Sequence, residues 1–498
     1  MPRKSGILLH ISSLPNRYGI GSFGKECYDF IDFLVEAKHS VWEILPLGQT
    51  GFGDSPYSSV CSNSYNPYFI SLDTLYEKGL LKRKEIATSV DRTPFVDYGK
   101  LYYGRYPLLR LAFSRFDKSD KAFRAFVKKG EYRDYALYMA IKGQQGNRAF
   151  YDWEDEFKYR NVKALNEFEK ENESELLFWQ FLQFEAEKEW ESVRAYAKEK
   201  GITIMGDLPL YVAYDSVDVW ANPKYFKLDD RLFPRKVAGV PPDYFSATGQ
   251  LWGNPVYDYD AIEADGYKWW KDRFNSVAKQ CDLIRIDHFR GFDRFYEIDY
   301  GRSDATVGEW VTVKGEEVIL TATKKIGKDK IIAEDLGIID DGVRELMKKL
   351  DFPGMRILSF AFNGQSDNAY LPENIEKRSV CYTGTHDNDT LMGLLESASE
   401  WDYNNFLVGV KESCKKLKVA YFAKSKKALA KSIIRLAYAC KAETTILPMQ
   451  DVCLLGGDYR MNTPGRDIAN WTVKIKKSAF TKAKAKYLCS LAQKSGRA

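Results

Sequence analysis

Asp207, Arg285, Asp287, Glu334, His386 and Asp387 are the residues of this chain whose types and neighbours could do chemistry, and each falls at or just after the end of a short apolar run. Arg285 and Asp287 are two apart. Extended side chains alternate with a period of two, so these two share one face while Ile284 and Ile286 take the other. The guanidinium beside the carboxylate is expected to lower the Asp287 pKa and hold it ionised and oriented, as a carboxylate nucleophile requires. Adjacent Glu334 and Asp335 cannot both face one pocket if the strand continues through them. Spacing does not choose between them, though Glu has the longer reach of a general acid. Singly, any of these acids could cap a helix, and the Arg285 pair could be a structural salt bridge. Four carboxylates around one pocket repel one another unless a function holds them there. Paired carboxylates of unlike environment are what glycosidic-bond chemistry uses.

Two other constellations carry less. His386, Asp387 and Asp389 could suggest a metal cluster, but the chain has four histidines and His10, His39 and His288 offer no H-E-x-x-H spacing, so no metal is expected. Gly19, Gly21 and Gly24 match G-x-G-x-x-G literally, yet residues 12–18, with Pro15 among them, separate this segment from its strand. A dinucleotide fingerprint follows its strand at once, so this reads as a tight loop and no cofactor is expected.

The elements that must position these groups are eight short β-branched runs, at 6–10, 41–45, 202–205, 283–287, 331–334, 355–358, 379–382 and 444–447, alternating with helical patterns. Eight is the number that closes a (β/α)₈ TIM barrel, whose active site forms at the C-terminal ends of the strands. Cys27, Phe30, Ile31, Leu34 and Ala37 keep a helical stripe before the second run. Phe178, Leu182, Ala186, Trp190, Val193 and Ala197 form another helical face, which Gly201 stops before the third run. Residues 57–200 are expected to be a mainly helical insertion between strands 2 and 3, and 215–257 a loop-rich insertion after strand 3. The whole of 1–498 reads as one decorated catalytic barrel, with its insertions on the C-terminal face and no C-terminal β-sandwich.

The composition fits: 498 residues, 45% hydrophobic and 29% charged, are those of a globular α/β protein. A net charge of +5 over so large a surface leaves no nucleic-acid footprint. The 11 Trp, 32 Tyr and 29 Phe are numerous, and many lie in Gly/Pro-rich stretches, which suits flat ligands such as sugar rings or bases. Eight scattered cysteines make no disulfide framework or zinc ribbon. No segment has a signal-peptide core or a membrane span, so the expected place is the cytoplasm.

At this point ordered segments come together: GILLHISSLP, YGIGSFG, ILPLGQTGFGDSPYSS, NPY, GDLPLYVAYDS, GVPPDYFSATGQLWGNP, RIDHFRGF, AEDLG, YTGTHDND and RMNTPG. In order and spacing they resemble the amylomaltases, or 4-α-glucanotransferases, relatives of the α-amylases, over nearly the whole chain. The resemblance implies that Asp287 is the nucleophile, Glu334 the general acid/base and Asp387 the third carboxylate, which binds and distorts the donor sugar. It implies that Asp207, Arg285 and His386 contact the same glucose and that Tyr57 stacks there. Ser55, Gln250, Trp252 and Asn462 are implied to hold the glucan, and Tyr244 and Phe245 to form an aromatic loop over acceptor sugars. The third-strand motif of α-amylases ends in a histidine; GDLPLYVAYDS has none, as in amylomaltases. GRDIANW after RMNTPG is less typical of the family. The implied reaction moves a glucanosyl unit from an α-1,4-glucan to glucose or a maltooligosaccharide by a retaining route. Neither nucleic acid nor membrane is an expected partner. The rival readings are an α-amylase-like hydrolase, a catalytically dead glucan-binding protein and, more distantly, a dinucleotide oxidoreductase.

Overall fold

The computed structural model describes residues 3–498 apart from Arg92, 243–245, Ile338, 467 and 468. The described residues form twelve strands: β1 (Lys4–Leu8), β2 (Val41–Glu43), β3 (Thr203–Leu208), β4 (Lys236–Val240), β5 (Gln250–Pro255), β6 (Leu283–Ile286), β7 (Arg294–Asp299), β8 (Glu309–Thr312), β9 (Ile331–Ala333), β10 (Gly354–Ile357), β11 (Ser379–Tyr382) and β12 (Thr444–Pro448). Eight of them, each in one of the eight apolar runs, make a parallel sheet in the order β10-β11-β12-β1-β2-β3-β6-β9. The Ala333 N–H donates to the Pro353 carbonyl at 3.0 Å, which joins the sheet's two ends and closes the (β/α)₈ barrel.

Alternation decides what faces the barrel lumen. In β2, Trp42 packs outward on Phe30 (ring centroids 5.1 Å apart) and Trp190 (6.2 Å), so Val41 and Glu43 point in. Phe30 belongs to helix Lys25–Glu36, whose Cys27, Phe30, Ile31 and Leu34 are buried as their spacing predicts. Trp190 belongs to helix Glu173–Glu199, which buries its whole expected stripe. That helix ends where Gly201 takes a φ of +74° and the Ile202 N–H reaches back to the Ala197 carbonyl at 2.8 Å. Gly6 is required for a different reason. A Cβ there would lie 2.6 Å from the Val41 carbonyl oxygen, and β1 could not approach β2.

Between β2 and β3 the chain is helical, with Tyr98–Arg115, Lys121–Lys129, Arg133–Gln144 and Val162–Glu171 preceding the long helix. Residues 215–257, expected to be loop-rich, hold more order than that: helix Val217–Ala221 and strands β4 and β5. These two strands join β7 and β8 in an antiparallel sheet of order β5-β4-β7-β8. The sequence hides them because β5, QLWGNP, is largely exposed and carries Gly and Pro, so no apolar alternation marks it. One hydrophobic core runs through barrel and helices, and a small second cluster of Val237, Tyr296, Ile298 and Ala305 lies in the antiparallel sheet. Beyond β12 the described residues form helices and no further sheet. Among the described residues no helix is long and apolar enough to cross a membrane.

Candidate active site

The ends of β3, β6, β9 and β11 bring the predicted residues together. Asp207 of β3 pairs in register with Arg285 of β6, and both side chains are almost wholly buried. Arg285 spreads its guanidinium over three partners. Nε donates to Asp207 Oδ1 at 3.0 Å, while Nη2 reaches Asp207 Oδ2, Asp287 Oδ1 (3.0 Å) and the Tyr57 hydroxyl (3.1 Å). Asp287 follows β6 directly, its N–H continuing the ladder to the Leu208 carbonyl at 3.0 Å.

The expected lowering of the Asp287 pKa is overturned. Burial pushes this carboxyl up, Arg285 only partly opposes that, and Asp207 adds negative charge. The physical reason is that Arg285 is shared: its two-pronged contact goes to Asp207, and Asp287 receives one donor.

Glu334 follows β9, its N–H held by the Ile286 carbonyl at 3.0 Å. Both carboxyl oxygens accept backbone N–H groups, Oε2 from His288 at 2.7 Å and Oε1 from Leu336 at 2.8 Å. The His288 donor is aimed by a left-handed backbone, φ 48°, which is uncommon for a side chain of that size. Burial and then the Asp287 charge push the Glu334 carboxyl well above the usual carboxylate range. Asp335 turns away. It accepts from the Met355 N–H at 2.6 Å and Arg356 Nη1 at 2.8 Å, packed so closely under β10 that a Cβ on Gly354 would lie 2.5 Å from Oδ2. Glu334 therefore shares the cluster with Asp287, and Asp335 pins the next strand.

After β11, Asp387 Oδ1 accepts from Asn462 Nδ2 at 2.6 Å and lies 3.3 Å from His386 Nε2. Burial works to raise the Asp387 pKa, but His386 and the Asn462 donor outweigh it and hold it low; burial likewise opposes, and Asp387 raises, the His386 pKa. Each group thus favours the charged form of the other. His10, beneath them, is driven down to about 3 by burial and by His386, so it is neutral. Asp389 does not join a metal cluster; its Oδ1 accepts from the Thr390 N–H at 2.7 Å, and no group of three or more metal-ligating side chains occurs among the described residues.

Tyr57 donates its hydroxyl to Asp207 and stacks on His386, centroids 5.0 Å apart and planes 19° from parallel. Ser55 lies just before it and accepts the Tyr57 N–H at 3.2 Å. Gln250 and Trp252 stand on β5, where Trp252 Nε1 donates to Gln250 Oε1 at 3.1 Å and the indole meets the His288 ring edge-on at 4.9 Å. Tyr244 and Phe245 lie outside the described residues. Sequence reasoning missed two site neighbours. Trp471, from the GRDIANW segment, packs on Tyr57 at 5.7 Å and His386 at 5.9 Å. His288 had one signal, its place directly after Asp287 at a strand end, where the chain must turn.

The site is thus a set of acids from four strand ends, one fixed by a guanidinium, one pushed toward its protonated form, and one held between a histidine and an asparagine. Comparison with known proteins gives the family of the chain. The family model described as 4-alpha-glucanotransferase matches residues 9–480. A 4-alpha-glucanotransferase of Clostridium butyricum is 41% identical over 497 residues, covering 98% of this chain and 100% of that protein. One of Aquifex aeolicus is 41% identical over 480 residues, covering 95% of this chain and 96% of the relative. Among solved structures, the amylomaltase of Streptococcus agalactiae in complex with acarbose superposes with a TM-score of 0.93 at 35% identity, covering 99% of each chain. Family model, relatives and architecture coincide over nearly the full length, and the chain belongs to the 4-alpha-glucanotransferase family.

Proposed function

We propose that this 4-α-glucanotransferase cleaves α-1,4-linked maltooligosaccharides by retaining double displacement, with Asp287 as nucleophile, Glu334 as acid/base and Asp387 as the carboxylate that grips the donor sugar. In the first step Asp287 attacks the anomeric carbon, the C1–O4 bond breaks, and Glu334 gives its proton to the departing O4. The donor is left as a β-glucosyl ester. In the second step Glu334 takes the proton from the 4-hydroxyl of an acceptor glucose or oligosaccharide, whose oxygen displaces Asp287 and restores the α-bond. Asp207, Arg285, His386 and Tyr57 surround the donor glucose. Ser55, Gln250, Trp252 and Asn462 hold the chain on either side, and Tyr244 and Phe245 cover the acceptor.

One observation carries this reading: two half-buried carboxyls lie on neighbouring strand ends, and of the two only Asp287 has a cation in hydrogen-bond contact. Burial raises both carboxyls, but a guanidinium draws Asp287 back toward the ionised form, whereas the Asp287 charge pushes Glu334 further toward the protonated one. Unequal environments support this division into nucleophile and acid. The test is Asp287→Asn together with a slow fluorinated glucosyl donor. The variant is expected to lose turnover by about 10⁴-fold or more with its fold intact, and the donor to label Asp287 in the wild type. A label on any other residue, or an active Asp287→Asn, overturns the assignment. Incubation with maltotriose alone separates transfer, which yields glucose and a ladder of longer oligomers, from hydrolysis, which yields new reducing ends.

A further inference from the structure

Asp451 is used in neither step, yet it is a carboxyl at 1% exposure, in the short helix Met449–Val452 that follows β12. Both of its oxygens hold the loop that carries His386 and Asp387. Oδ2 accepts from the Thr383 hydroxyl at 2.6 Å, directly after β11, and Oδ1 accepts from the Leu391 N–H at 2.7 Å, where helix Leu391–Ser397 begins. Thr383 and Leu391 are themselves buried. One side chain from the neighbouring strand end therefore ties together both feet of the loop 384–390. Its crown is braced further along the same segment. The Asn462 N–H donates to the His386 carbonyl at 3.0 Å, and Arg460 Nη2 donates to the Asp387 carbonyl at 2.6 Å. The Asp387 side chain is itself half-exposed, so its place is inherited from this loop backbone and from Asn462 rather than from packing.

From this geometry we infer that Asp451 is a positioning residue, which sets where Asp387 and His386 meet the donor sugar by holding both ends of their loop. The inference rests on the role proposed above for Asp387. A backbone N–H and a hydroxyl that converge on one buried point need two acceptors there, which a carboxylate supplies and an apolar side chain does not. With the carboxylate gone, the Leu391 N–H is left buried without a partner, and the loop has to shift to satisfy it. Such a shift reaches Asp387 through the backbone. A displacement of about 1 Å at a group that grips the reacting sugar can lower the rate about 100-fold.

The experiment measures kcat and KM for maltotriose disproportionation, with thermal unfolding, in Asp451→Ala, Asp451→Asn and Thr383→Val, and repeats Asp451→Ala in an Asn462→Ala background. Asp451→Ala cuts both ties and is expected to lower kcat/KM about 10- to 100-fold in a folded protein, and Thr383→Val, which cuts one, by less. Asp451→Asn should recover most of the loss, because its amide oxygen still accepts from Leu391 and its amide nitrogen can donate to the Thr383 hydroxyl. The combined loss in Asp451→Ala with Asn462→Ala should fall short of the product of the single losses, since a carboxylate displaced by one change has less to lose from the other. A folded Asp451→Ala within about twofold of wild type overturns the inference. So does a combined loss equal to that product, which marks general damage rather than action through Asp387, and so does failure of all three single variants to fold. Asp387→Asn is assayed alongside. Wild-type turnover there would undo the site assignment itself, a result distinct from an active Asp451→Ala beside an inactive Asp387→Asn.

Discussion

Replacing Arg285 by Lys keeps the charge and removes the fork, and the site's geometry sets what should follow. Arg285 makes two contacts to Asp207, one to Asp287 and one to Tyr57. An ammonium is a point donor on a flexible stem and cannot bridge two carboxylates and a phenol in one plane. Asp207, the more deeply buried acid, keeps the cation, and Asp287 loses its donor. A hydrogen bond to a charged group is worth about 1.5–3 kcal/mol, or roughly one to two pH units in the carboxyl's midpoint. Burial already pushes Asp287 up, with Arg285 opposing, so loss of the contact raises it further. The acid limb of kcat/KM is therefore expected to move up by about one to two units, and activity at neutral pH to fall about 10- to 100-fold. The assay is initial-rate disproportionation of maltotriose across pH, with denaturant unfolding of the same samples. An acid limb unmoved in a folded Arg285→Lys variant would refute the view that Arg285 tunes Asp287.

Three other expectations can be checked directly. Asn462→Ala removes the 2.6 Å donor to Asp387, so kcat/KM should fall about 10-fold or more; a value within about twofold of wild type would detach Asn462 from the site. Glu189 is buried in the long helix, has one oxygen unpartnered and is pushed up by burial to about 8. Its folded form holds a proton that the unfolded chain gives up, so its stability contribution is full below the unfolded value near 4.5 and is lost as pH rises toward 8. Glu189→Gln should unfold at higher denaturant than wild type at pH 8, by on the order of a few kcal/mol, and at the same midpoint below pH 4.5; equal midpoints at pH 8 would contradict this. Gly6→Ala, whose Cβ would lie 2.6 Å from a backbone oxygen of β2, should cost more than about 3 kcal/mol, and an unchanged melting temperature would show that the strands can part.

Much of the molecule is legible in its residues because the relevant physics is local. A period of two puts Arg285 and Asp287 on one face, apolar runs at regular intervals become barrel strands, and the parallel barrel places whatever ends a strand at its rim. The same residues were silent where the answer depends on contacts from distant parts of the chain. Nothing in the pair Glu334–Asp335 says which one faces the pocket; that was decided by Arg356 and the Met355 N–H capturing Asp335 from the next strand. Strand β5 of the antiparallel sheet has no signal in the residues, because an exposed strand carries no apolar alternation. Neither the pairing of Trp471 with Tyr57, more than 400 positions apart, nor the sharing of Arg285 with Asp207 has a signal in spacing. The proton affinity of Asp287 was the sharpest case. The neighbouring arginine predicted a lowered value, and the folded chain raised it. A hydrogen bond is made by two residues, whereas desolvation sums over every atom that replaces water, and only the closed barrel determines that sum.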